Sequence, residues 1–155
     1  MRYILFVALI TLGLAACKKD KFTTAPQIDY KSIKPNVVAG NIPITGQNPP
    51  VLTLHVTDAE GDLSFVPGSD SAWIFVKNLL SNTKDSFQFP DLTGVTTSNF
   101  KFDLDIPLNS ANLIKGGPRP RPKTDTLYFE VYITDMAKNK SNTIITQDPV
   151  YFIVP

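Results

Sequence analysis

The chain has 155 residues, 15 basic against 14 acidic groups, one cysteine and one histidine. Near-neutrality gives no electrostatic footprint for nucleic acid, and a single cysteine excludes any disulfide within the chain, so stability has to come from an apolar core. Twelve of the acids are Asp and two are Glu, and Asp suits turns where Glu suits helices, which favours an all-β chain.

Residues 1–16 have the build of a targeting segment. Arg2 supplies a positive charge, Tyr3–Leu14 is an apolar run too short to span a bilayer comfortably, and Ala15-Ala16-Cys17 closes it with small residues. Leu14-Ala15-Ala16-Cys17 resembles the bacterial lipobox, which implies lipidation of Cys17 and cleavage before it. Without residues 1–16, which hold one charge, the remainder has 14 basic and 14 acidic groups. Lys18, second after the implied cleavage, is not the Asp that retains lipoproteins at the inner membrane, so the resemblance points to the outer membrane. Residues 17–26 (CKKDKFTTAP) are polar and aperiodic, a linker ahead of one domain over 27–155.

Gln27–Lys34 alternates imperfectly and ends at Pro35, as an edge strand does. Pro35–Pro50 is a proline- and glycine-rich connection with one short strand expected at Asn41–Thr45. Val51–Thr57 alternates strictly, with Leu52, Leu54 and Val56 on one face, and runs into the acidic turn Asp58–Leu63 (DAEGDL). Ser71–Asn78 is a continuous apolar run of the kind a central sandwich strand shows. Ser86–Pro90 and Asn99–Ile106 are further strands, and Asn109–Ile114 fits one helical turn. Lys115–Lys123 (KGGPRPRPK) has four basic residues in nine and reads as a solvated loop. Asp125–Thr134 is the clearest strand, with Leu127, Phe129, Val131 and Ile133 on one face; a second acidic turn (TDMAKNKSN) follows it. Asn142–Gln147 and Val150–Val154 form a last strand interrupted at Asp148-Pro149.

About seven short strands with turn signals between them and no long helix specify an antiparallel β-sandwich of the immunoglobulin-like or fibronectin-III-like kind. The chain resembles the immunoglobulin-like lipoproteins of Bacteroidetes. The matching features are the lipobox, the strand running into Asp58–Leu63, and Val131–Asn142 (VYITDMAKNKSN), where Lys138 replaces the usual glycine. The resemblance implies a lipid-anchored envelope location and no particular activity.

No catalytic set is legible. His55, the only histidine, lies on the polar face of its strand with no nucleophile motif beside it, and Asp103 and Asp105 alternate with core residues as a solvated face. The expectation is a non-enzyme. Asp58–Ser69 is not an EF-hand, because its sixth and twelfth places hold Leu63 and Ser69. In a seven-strand order, however, the turn after strand B and the turn before strand G share one end. Asp58, Glu60 and Asp62 would then meet Asp135 and Asn139 and could hold Ca2+; the alternative is two ordinary solvated turns. Trp73 and Phe75 on strand C and Tyr128 and Tyr132 on strand F could share an outer surface for a glycan or an envelope-protein partner. The alternative places Trp73 in the core, as immunoglobulin folds do. A structural or accessory envelope module leads, a glycan- or peptide-binding module follows, and a hydrolase is a distant third.

Overall fold

The computed structural model describes residues 20–92, 94 and 97–155; the expected targeting segment and the expected lipidation site, Cys17, lie outside them. Ten strands form among these residues: β1 (Gln27–Lys34), β2 (Val37–Ala39), β3 (Val51–Asp58), β4 (Trp73–Asn78), β5 (Lys84–Gln88), β6 (Phe100–Pro107), β7 (Lys123–Leu127), β8 (Phe129–Thr134), β9 (Ile144–Ile145) and β10 (Val150–Val154). Three pairs are single strands interrupted. Pro35, which has no N–H for a ladder, separates β1 from β2; Tyr128 separates β7 from β8; and Asp148-Pro149 separates β9 from β10. Joined across these breaks, ten strands become the expected seven.

One layer has the order β1-β3-β6, antiparallel throughout. The other combines β5-β4-β8-β9 with β2-β10-β7, linked through the near-continuous β7–β8. Within it β2 runs parallel to β10, so the first strand begins in one sheet and ends in the other. The architecture is an all-β immunoglobulin-like sandwich.

Strand parity builds the core. Leu52, Leu54 and Val56 face Leu127, Phe129, Val131 and Ile133 across the sandwich, with Ile74, Val76, Leu104 and Ile106 completing the apolar layer. Each fully buried side chain of this size contributes roughly 1.5–3 kcal/mol, which is how a chain without a disulfide stays folded. Polar side chains join what the ladders leave open. The Asn142 amide accepts from the Ile28 N–H and donates to the Ile28 carbonyl, both at 2.8 Å, tying the edge of one sheet to the other. Buried Asn78 donates to the carbonyls of Leu113 (2.7 Å) and Lys115 (3.0 Å) and accepts from the N–H groups of Leu80 and Ser81.

Two local expectations need correction. The strand expected at Asn41–Thr45 forms earlier, at Val37–Ala39, with a 3₁₀ turn at Ile44–Gly46. Val38 has a buried site beside β10, whereas Pro43 has no N–H to give a ladder. The basic loop Lys115–Lys123 is not a free solvated loop, because it closes over Asp125, as described below.

Candidate metal centre at the acidic end of the sandwich

β3 and β8 both deliver their C-terminal turns to one end of the sandwich. The Met136 N–H donates to the Asp62 carbonyl at 3.0 Å, joining the two turns. Gly61 makes the first turn possible: its φ is +71°, and a Cβ there would stand 2.5 Å from the Thr97 carbonyl oxygen. Its N–H donates to Asp58 Oδ2 at 2.5 Å, an Asx-type turn that fixes the Asp58 carboxylate.

Asp58, Asp62 and Asp135 each bring a carboxylate oxygen to within 4.8 Å of the other two. Asp58 and Asp135 are fully buried. The Asn139 backbone N–H (2.7 Å) and side-chain amide (2.8 Å) both donate to Asp135. By contrast, Asp58 Oδ1 and Asp62 Oδ1 are buried and have no hydrogen-bond partner. Burial, and behind it the charges of Asp62, Glu60 and Asp135, pushes the Asp58 carboxyl up to about 6 against the relief given by Gly61. Asp62 is raised too, by burial first and then by Asp135.

The five residues expected here thus divide. Three carboxylates converge, Asn139 serves as the brace that orients Asp135, and Glu60 is exposed and contributes only its charge. Oxygens bound to one calcium ion at 2.3–2.6 Å lie no more than about 5 Å apart, and the observed spread fits that limit. An all-carboxylate set with no imidazole or thiolate suits a hard cation.

The aromatic candidates also divide. Ala72 and Ile74 are buried, so parity turns Trp73 outward and not into the core. Phe75 and Tyr132 are register partners and stack at 4.7 Å between centroids, with Lys140 Nζ 3.9 Å from the Tyr132 ring centre. Phe65 meets Trp73 edge-on at 6.3 Å. Tyr128 is exposed but stands apart, beside Leu80 and Ile145 in a shallow depression.

His55 is half-buried on the outer face of the β1-β3-β6 sheet between Asp103 (2.9 Å) and Asp20 (3.5 Å), without a nucleophile among these partners. Sequence reasoning missed Asp125, which is fully buried. Arg119 and Lys123 pair with it, the latter at 3.0 Å, and the Gly117 N–H donates to it at 3.0 Å. Against the cost of burial, Lys123 and Arg119 hold its carboxyl below the ordinary range. The signal was present in strand parity, because Asp125 shares the face of Leu127 and Phe129 and follows a run of basic residues.

Among the described residues no helix is long and apolar enough to cross a membrane. No known family, curated protein or solved structure matches the chain.

Proposed function

We propose that the protein is a lipid-anchored immunoglobulin-like module of the bacterial cell envelope that loads a divalent cation, calcium, at one end of its sandwich and has a structural or interaction role and not a catalytic one. The supporting observation is Asp58: a fully buried carboxylate with an unpartnered oxygen, beside two further carboxylates. Three negative charges gathered this closely and partly dehydrated destabilise the fold unless protons or a cation neutralise them. Calcium takes six to eight oxygens, and backbone carbonyls and water would complete the set. The anchor reading rests on Leu14–Cys17 and places the domain where calcium is available.

Thermal unfolding of the mature protein in millimolar calcium and in chelator tests the cation. At a hundredfold excess over its dissociation constant a bound ion stabilises by about 2.7 kcal/mol, which in a domain of this size raises the midpoint by roughly 5–10 °C. Asp62→Asn, at a half-exposed position, should fold and lose most of that gain. Identical wild-type curves in calcium and chelator would overturn the reading.

A second reading, a glycan- or protein-binding face, draws on the outward Trp73 and the stacked Phe75–Tyr132 pair. Half-exposed rings on a flat sheet are the usual material for stacking on sugars.

A further inference from the structure

The linker does not leave the domain freely. The Thr23 carbonyl accepts from the Ala59 N–H at 3.2 Å, and the Lys21 carbonyl accepts from the Thr57 hydroxyl at 2.7 Å. Asp20 then pairs with Lys101 at 2.7 Å and lies 3.5 Å from His55 Nε2. Going back from β1, the chain passes the end of β3, turns at Thr24-Ala25, and returns across the outer face of the β1-β3-β6 sheet, over Thr57 and then His55. Cys17 is three residues from Asp20. An extended chain reaches at most ~3.3–3.6 Å per residue, so the Cα of Cys17 lies within about 11 Å of that of Asp20.

We infer that the outer face of the β1-β3-β6 sheet is the membrane-facing side of the domain. It lies against the phospholipid headgroups of the leaflet that holds the Cys17 acyl chains and directs Trp73 and Phe75 away from the bilayer. The inference rests on the lipid anchor proposed above. Distance decides between the two faces. Sheets in a sandwich are about 10 Å apart, with a layer of side chains outside each, so bringing the other sheet to the membrane needs a tether of roughly 20 Å around an edge. The available reach is about half of that.

The chemistry of the face agrees. Lys31 pairs with Asp103 at 2.6 Å, Asp103 with His55 at 2.9 Å, and Thr53 donates to Asp105 at 2.7 Å, a balanced ionic lattice suited to headgroups. The exposed large apolar side chains, Tyr128, Tyr151 and Ile153 among them, are on the other sheet or in loops, and none is on β1, β3 or β6. The face therefore rests on the headgroups without inserting.

Lipidation consumes the only native thiol, so Asp105→Cys and Thr126→Cys each accept one fluorophore, on opposite outer faces. The labelled lipoproteins are placed in phosphatidylcholine–phosphatidylethanolamine vesicles carrying a headgroup-attached quencher. Quenching should be several-fold stronger at position 105 than at 126, and Asp20→Ala combined with Thr57→Val, which frees the tether back to Thr23 and lengthens its reach to about 20 Å, should bring the ratio towards one. Flotation with the vesicles but equal quenching at both positions overturns the inference and leaves the anchor standing. An unchanged ratio in that double variant overturns the part given to the clamps on Asp20 and Lys21. Failure to float with the vesicles overturns the anchor and the inference together.

Discussion

Asp58 and Asp125 are both fully buried, yet the fold treats them in opposite ways. Asp125 stands near the start of the long β7–β8 strand, and the Asp58 cluster gathers where that strand ends. At one end the chain supplies its own cations: Arg119 and Lys123 fold back over Asp125, and its carboxyl is held below the ordinary range. At the other end Asp58 meets two more carboxylates and keeps a buried oxygen without a partner. A buried charge needs a counter-charge wherever it sits. The sequence contains one for Asp125; among the described residues Asp58 has none, and a proton or the proposed cation takes its place.

The comparison breaks most sharply on removing each carboxylate in calcium-free buffer. Asp125→Ala leaves Lys123, whose side chain is only 12% exposed, without its carboxylate and with the Gly117 carbonyl as its remaining partner, and removes the ionic anchor of Arg119. Removing one member of a buried pair costs about 3–5 kcal/mol. Asp58→Asn should do the reverse, because it removes a repelled charge while its amide oxygen can still accept from Gly61. Chemical denaturation in chelator should show a large loss for the first variant and no loss, or a gain, for the second. A loss of similar size in both would mean that Asp58 is as well compensated as Asp125.

Proton linkage sharpens the same contrast. A raised Asp58 binds its proton more tightly in the native state than in the unfolded one. Its protonation therefore stabilises the cation-free protein at low pH, and that contribution disappears as pH rises from the ordinary value near 3.9 through about 6. Asp62 acts in the same direction. The lowered Asp125 acts in the other, giving stability that is present above the ordinary value and lost as pH falls through its own. The midpoint in chelator should decline between about pH 4 and 6, and calcium should abolish that decline. Parallel profiles with and without calcium would show that the ion does not sit on Asp58.

Much of this arrangement is legible in the residues. Strict alternation places β3 and β8, and seven-strand topology brings their acidic turns to one end. Which carboxylates converge is not legible, because it depends on the Gly61 turn, where one residue with positive φ leaves Glu60 in solvent. The docked linker and the Asn78 and Asn142 bonds are invisible for a related reason. They are single hydrogen bonds or ion pairs between groups tens of residues apart, and such contacts leave no periodic trace. Composition alone makes the basic loop read as solvated; its anchor is Asp125, which strand parity puts inside with Leu127 and Phe129.

Trp73 gives a smaller effect. In a packed core, Trp→Ala costs about 3–5 kcal/mol. Here the ring is half-buried, on the outer face against Phe65, so Trp73→Ala should cost nearer 1–2 kcal/mol. If the aromatic face binds glycan, the same variant should lose most of its retention on immobilised oligosaccharide while the calcium-dependent midpoint gain is untouched. A stability loss of core size would return Trp73 to a packing role.

The smallest effect concerns Lys138, which adopts φ +69°, a left-handed conformation that favours glycine. A left-handed conformation costs a non-glycine residue roughly 1–2 kcal/mol. Against that, Lys138 Nζ donates to the Ser71 carbonyl at 3.1 Å and lies 3.4 Å from Asp70. Asp70 is largely exposed, and such a pair is worth at most about 1 kcal/mol. Glycine would relieve the backbone, lose these contacts and carry more entropy in the unfolded chain. The balance favours Lys138→Gly by roughly 0.5 kcal/mol, a midpoint rise of about 2 °C. It would also remove a positive charge from the turn that holds Asp135, so the calcium concentration needed for half of the midpoint gain should fall. A lowered midpoint in both calcium and chelator would show that the reach of Lys138 to Ser71 outweighs its backbone strain. Lys138 would then be a bracket from the Asp135 turn to the segment that leads into β4.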